Sequence, residues 1–332
     1  IFNFKMELFL KKIIIFVALF VFLLFSTFYL NEGSFDVRFK NSDEINMHHK
    51  VKYFSKFLSQ NDTINLILGS STTKYAIIPD SISSRWFSFA NASQNIYESF
   101  KFLDFYKDSV VIDTIIIGVE PFDFPYSYIK KRRGDTPSLN GNFKMFGKDS
   151  ITSIKKNLLL TNVAAIKKKF FYNFKDLTQN SNNRKKTKSN PEILTDQGYS
   201  IRRDKVPINL DSLYKIAPLS FDNHLQYFVN IQSIPNLKYF ELFDSLATSL
   251  DIKVLYLMTP KSKFYHKSVK IKNYDKIWLS IKDSLNKKQI EIWNYENINV
   301  DTLSYHFFWD ETHLVYDGAR FFTKIIKQRL KE

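Results

Sequence analysis

Apolar residues fall along this chain in two kinds of run. Five runs are short, almost continuously apolar and closed by a turn former: INLILGS at 64–70, FSFANAS at 87–93, DTIIIGVE at 113–120, KVLYLMTP at 253–260 and IEIWNYEN at 290–297. Without in-and-out alternation, such runs predict strands buried on both faces, the habit of a parallel sheet. Helix-length segments separate or flank them, at 96–106, 237–250 and 278–287, with a short amphipathic helix at 51–58. A last helix carries Ala319, Phe321, Phe322, Ile325 and Ile326 on one side, the pattern of core packing. Strand–helix–strand alternation demands right-handed crossovers and predicts a doubly wound α/β sheet whose ligand crevice lies at the carboxyl ends of the strands.

Two regions break this rhythm. From Ile13 to Leu30 the run IIIFVALFVFLLFSTFYL has 18 residues without a charge, the length that crosses a hydrocarbon core of about 30 Å as a helix. Lys5, Lys11 and Lys12 precede it and Asn31, Glu32 and Asp36 follow, so the positive-inside bias predicts a single membrane anchor with the bulk of the chain on the extracytoplasmic side. A cleaved signal peptide is the rival reading, although Ser26-Thr27-Phe28-Tyr29-Leu30 offers no small-x-small cleavage site. The expected organisation is an anchor at 1–30, a polar linker at 31–60 and one domain at 61–332 with an insertion at about 124–235.

Charge sharpens the view of that insertion. The chain of 332 residues carries 48 Lys and Arg against 33 Asp and Glu, a net +15. Residues 124–235 hold 20 basic and eight acidic residues, +12 of that excess, in clusters such as KKRR at 130–133 and KKK at 167–169. Each cluster alone reads as a solvated face. On a tethered protein the region as a whole also suits anionic headgroups or an acidic envelope polymer, and extracytoplasmic topology disfavours nucleic acid. There is no Cys, which excludes disulfides, thiol catalysis and thiolate metal sites. The 33 Phe and 18 Tyr carry no functional inference by themselves.

The candidate chemistry sits at two places. The first strand runs into Gly69-Ser70-Ser71-Thr72, two hydroxyls at the carboxyl end of a buried strand. A serine is a weak nucleophile unless a histidine takes its proton and a carboxylate fixes that histidine. Of six His, His48 and His49 lie in the linker, His224 and His266 lack a neighbouring carboxylate pattern and His306 precedes an aromatic cluster, whereas His313 stands three residues after Asp310 in FFWDETHLVYDGARFF. Read blandly, the serines satisfy backbone groups at a strand end and cap the next helix, Asp310 caps a helix and His313 is a satisfied surface residue.

Together these pieces resemble the SGNH or GDSL hydrolase superfamily, over about residues 62–123 and 236–332. The resemblance implies a flavodoxin-like three-layer α/β/α fold, with Ser71 as nucleophile, His313 as base and Asp310 orienting it. The Gly-Ser-Ser turn and the anchor look closest to the membrane-associated branch of teichoic-acid D-alanyl transfer and polysaccharide O-acetylation proteins. That likeness implies an O-acyl esterase or acyltransferase acting on a cell-envelope polymer, working with a membrane acyl-supplying protein and needing neither cofactor nor metal. Two blocks depart from the family. Phe89-Ala90-Asn91-Ala92-Ser93 lacks the oxyanion-binding Gly, leaving Ala92 or Ser93 main-chain N–H and Asn91 as candidate donors. Gly118-Val119-Glu120 presents a carboxylate where the family has an Asn donor, and an ionised Glu cannot donate. The alternative is therefore a catalytically inactive module of this fold that binds an anionic polymer or a membrane partner.

Overall fold

The computed structural model describes residues 12–20, 42–120 except 93, 192–202, positions 207, 209–212 and 215, and 237–331 except 272–273, 297 and 299–304. The chain divides into two compact units: Ile1–Lys40 with Lys155–Arg184, and Asn41–Ile154 with Lys185–Glu332. Of the first, residues 12–20 are described; they are helical, with Ile14 65% and Phe16 70% exposed. The rest of the run expected to cross a membrane, 21–30, lies outside the described residues. Among the described residues no helix is long and apolar enough to cross a membrane.

The second unit is an α/β fold. Helix α1 (Ser42–Leu58) leads to β1 (Ile64–Leu68), α2 (Ser71–Ala76), α3 (Pro79–Ile82), β2 (Trp86–Ser88), α4 (Ile96–Tyr106) and β3 (Ile112–Gly118). A hairpin of β4 (Glu192–Leu194) and β5 (Ser200–Arg202) follows, then α5 (Leu237–Ser249), β6 (Lys253–Met258), α6 (Lys263–Ile271), α7 (Tyr274–Lys287), β7 (Ile292–Asn294) and α8 (Tyr316–Arg329). The five main strands are parallel in the order β2-β1-β3-β6-β7, with Leu66 opposite Ile115 and Ile117 opposite Tyr256.

Toward their carboxyl ends the strands send side chains alternately to the two faces of this sheet. Leu66, Leu68, Phe87, Phe89, Ile115, Ile117, Tyr256 and Met258 join Phe54 of α1, Phe102 of α4 and Phe240 and Phe243 of α5. Trp86, Ile67, Ile116, Leu255 and Leu257 join Ala76, Ile82 and, from α8, Phe322 and Ile326. Helices thus cover both faces, which is why the strands read as unbroken apolar runs. Much of the aromatic content gathers on one face, where Phe54 meets Phe89 edge-on at 4.7 Å and Tyr106 at 5.3 Å. Asn95 caps α4 with a reciprocal Asn95–Glu98 box.

Two segments differ from expectation. The helix expected over 51–58 begins at Ser42, so residues read as linker pack on the sheet, with Met47, Lys50 and Phe54 buried. From the basic insertion, the β4–β5 hairpin returns to lie along β2. The Ser88 N–H donates to the Gln197 carbonyl at 2.9 Å, so the hairpin turn shields an edge of the sheet. Gly198, at φ +76°, sits where a Cβ would come 2.3 Å from the Ser88 carbonyl oxygen. The clusters at 130–133, 167–169 and 184–186 lie outside the described residues.

Candidate active site

Strand order reverses between β1 and β3, and crevices in open α/β sheets form at such points, beyond the carboxyl ends of the strands. Each strand feeds polar residues to that end. Ser71 opens α2 directly after β1; Asn91 and Ala92 follow β2; Glu120 follows β3; Thr259 and Lys261 follow β6; Glu296 follows β7. Two glycines let the first turn pass tightly over β3. Gly69 has φ +134°, and a Cβ on Gly118 would lie 1.6 Å from Thr73 Oγ1, so only a bare backbone fits between β3 and α2.

The loop before α8 brings the other partners. The Trp309 N–H donates to the His313 carbonyl at 3.1 Å and Val315 N–H to the Phe307 carbonyl at 2.8 Å, closing a tight turn around Asp310. Inside it, the N–H groups of Thr312 and His313 donate to Asp310 Oδ1 at 2.9 and 2.8 Å, and the Trp309 indole N–H donates to Oδ2 at 2.6 Å. His313 Nδ1 lies 2.8 Å from Asp310 Oδ2, and His313 Nε2 lies 2.8 Å from Ser71 Oγ, 242 residues away in sequence. The Trp309 ring stacks on the imidazole at 5.3 Å, and Tyr75 meets both rings edge-on.

Proton positions follow from the carboxylate. Burial alone raises the Asp310 carboxyl, but the charge of protonated His313, its hydrogen bond and the two backbone N–H groups hold it well below the usual carboxylate range. An ionised Asp310 only accepts, so neutral His313 carries its proton on Nδ1 and leaves Nε2 to accept the Ser71 hydroxyl proton. Hydroxyl, imidazole and carboxylate stand in series, the arrangement that turns a serine into a nucleophile.

The oxyanion side is different. Asn91 is fully buried, and its N–H donates to the Gly69 carbonyl at 3.0 Å, tying the ends of β2 and β1 together. Ala92 beside it is half-buried, and Ser93 lies outside the described residues. Ser71, as the first residue of α2, has a main-chain N–H with no intrahelical acceptor. Glu120 is 1% exposed and forms an ion pair with Lys261 at 2.7 Å. Its Oε1 accepts from Lys261 and from the Thr72 hydroxyl, and so is engaged as an acceptor within the protein.

Several groups at this site were not singled out from sequence. Thr259 and Lys261 lie one and three residues past the end of β6, as Glu120 lies two past the end of β3. Trp309 adjoins Asp310, and its indole N–H signals a need for a buried acceptor. Glu296 is pushed up to about 7, by burial first and by the neighbouring Glu120, with Lys261 pulling the other way. Among the described residues no group of three or more His, Asp and Glu is placed to hold a metal ion. A cavity of about 270 Å³ lined by Tyr53, Phe57, Asn61 and Gln197 opens at the amino ends of β1 and β2, the end of the sheet opposite Ser71. No family model matches the chain, and no curated protein matches it.

Proposed function

We propose that this protein is a serine-dependent O-acyl esterase or acyltransferase of the SGNH type. The observation that carries the reading is the continuous hydrogen-bond chain from Ser71 through His313 to Asp310. The strand order 2-1-3-4-5, counting the five parallel strands in sequence, is that of flavodoxin-like folds and supports the same assignment. Ser71 Oγ attacks an ester carbonyl while His313 Nε2 takes its proton. The tetrahedral oxyanion rests on main-chain N–H groups of Ser71 and Ala92, and the imidazolium returns the proton to the departing alkoxide. Water then resolves the acyl-enzyme in an esterase; a glycan hydroxyl resolves it in a transferase.

The substrate is a cell-envelope polysaccharide or related polymer, and the acyl group comes from a membrane acyl-supplying partner. Support comes from the Gly-Ser-Ser turn and from the uncharged run at 13–30, whose described part is a helix with exposed apolar side chains, suited to a single membrane anchor that leaves the sheet on the extracytoplasmic side. A serine-reactive phosphonate tests the chemistry: covalent labelling of the wild type, lost in Ser71→Ala, is the expected result. The second reading, an inactive module that binds anionic polymer, is favoured by the carboxylate of Glu120 where an oxyanion donor is expected. An unlabelled wild type that still binds envelope polymer decides for it.

A further inference from the structure

A buried polar relay runs under the Ser71 turn. Ser70, Ser71 and Thr72 place three hydroxyls in succession, and their surroundings differ. Ser70 and Thr72 are 3% and 5% exposed, whereas Ser71 is half-buried and meets His313. Ser70 Oγ lies 3.0 Å from Thr72 Oγ1, and Thr72 Oγ1 in turn reaches Glu120 Oε1. The same Glu120 oxygen receives the Lys261 ammonium at 2.7 Å and faces the Thr259 hydroxyl at 3.4 Å.

The direction of this chain is fixed by counting protons. Glu120, paired with an ammonium, is an acceptor, so the single Thr72 hydroxyl proton goes to it. The Ser70 hydroxyl must then donate to Thr72. Both residues flanking the nucleophile are in this way drawn inward toward one carboxylate, itself held from β3 and, through Lys261, from the end of β6. A charged pair with side chains 0% and 2% exposed is anchored by its geometry, because neither member can leave without stranding the other.

We infer that Ser70, Thr72, Glu120 and Lys261 form a positioning network that orients the Ser71 turn toward His313. None of the four touches the reacting atoms. The inference rests on the triad reading above and deepens it. It also accounts for Glu120, since the carboxylate that cannot serve the oxyanion instead secures the nucleophile.

The rate of phosphonate labelling of the full-length chain, measured across pH, tests this. Thr72→Val keeps the shape of the side chain and removes the relay; Thr72→Ser keeps the hydroxyl. The expected result for Thr72→Val is a plateau rate lower by about 10- to 100-fold, the scale of a misplaced reacting group. The pH midpoint should stay unchanged, because the His313–Asp310 couple is untouched, and Thr72→Ser should recover the rate. A role in stability alone would lower the melting temperature and leave the plateau of the folded protein in place, and that result overturns the inference. Should Thr72→Val fail to fold, Ser70→Ala removes only the outermost donor and leaves the ion pair intact; a wild-type rate there overturns the inference equally. A labelled wild type with undisturbed variants sinks the network alone, whereas an unlabelled wild type sinks the triad reading, and the network with it.

Discussion

Lys74 and Glu192 form a buried ion pair at 2.7 Å, with side chains 0% and 2% exposed. Lys74 lies one turn after Ser71 in α2, and Glu192 begins the first strand of the β4–β5 hairpin, so the returning end of the basic insertion is fastened to the helix that carries the candidate nucleophile. Asn46 of α1 donates to the other Glu192 oxygen at 2.7 Å. Burial raises the Glu192 carboxyl, but the Lys74 ammonium and the Asn46 hydrogen bond bring it below its ordinary value. Glu192→Leu strands the Lys74 ammonium in the interior and should cost about 3–5 kcal/mol of folding stability. Lys74→Met in the same chain should return much of that loss, since an apolar pair of similar volume replaces a buried ion pair well. Urea unfolding of the two single variants and the double variant reads the coupling directly; simple additivity would refute it.

Asp310→Asn probes a different property. The side chain retains its size, but an amide can turn its NH2 toward His313 Nδ1 and hold the imidazole in the tautomer that carries its proton on Nε2, where it can no longer accept from Ser71. In a Ser-His-Asp site of another fold that change lowers the rate by about 10⁴ with geometry intact. Phosphonate labelling of the folded Asp310→Asn protein should therefore fall by about three to four orders of magnitude, and its melting temperature should also fall, because an NH2 at the Oδ2 position leaves the Trp309 indole N–H without its acceptor. A loss of less than tenfold would mean that Asp310 only braces the loop through its bonds to the Thr312 and His313 N–H groups.

The sheet was legible in the sequence because burial on both faces leaves a continuous apolar signature, and each of the five runs overlaps a strand. The boundaries were less so at FSFANAS: the strand ends at Ser88, yet Phe89 and Ala90 stay fully buried where the chain turns into the crevice, and hydrophobicity does not distinguish the two. The first half of α1 gave no amphipathic signal, since its buried positions include Asn46 and Lys50. These are satisfied by Glu192 and by the Ala90 carbonyl at 2.6 Å, partners supplied only by the fold. Ser71, Asp310 and His313 could be singled out because six His make a short search, and His313 stands three residues after Asp310 late in a chain whose first strand ends in a Ser turn. Lys261 could not, as one lysine among many in a basic chain; its meaning comes from a carboxylate 141 positions away.

Two carboxylates give the protein opposite pH responses. Asp310 is depressed in the folded state, so the stability it contributes is present above the unfolded carboxylate value of about 3.9 and is lost as the pH falls below it. Glu296 is raised from 4.5 to about 7, so between those values the folded chain holds a proton that the unfolded chain has released. Stability contributed in that way is present below pH 4.5 and lost as the pH rises toward 7, by roughly 2–3 kcal/mol. Glu296→Gln keeps a neutral, hydrogen-bonding side chain and should flatten this slope while leaving the acid limb set by Asp310. Unfolding free energies at intervals from about pH 2 to 8 for both proteins check it; parallel curves would show that Glu296 is not the group responsible.

Gly118 sets the closest approach in the candidate site. A methyl group there would lie 1.6 Å from Thr73 Oγ1, 2.7 Å from its Cβ and 2.8 Å from its Cγ2, so α2 would have to lift away from β3. Glu120 lies two residues beyond Gly118 and the Ser71 turn opens the displaced helix, so the displacement would open both the Ser71–His313 and the Thr72–Glu120 contacts. Gly118→Ala should cost about 1–3 kcal/mol by overpacking, or more if the backbone cannot yield. It should also slow phosphonate labelling, by about 100-fold for a shift near 1 Å. Gly198→Ala serves as the comparison, since it strains the hairpin turn against Ser88, at the end of the hairpin away from the Glu192–Lys74 tie to α2. That variant should lose stability and retain its labelling rate once folded. Equal labelling losses in both would show that the rate follows general stability, not the seating of α2 on the end of β3.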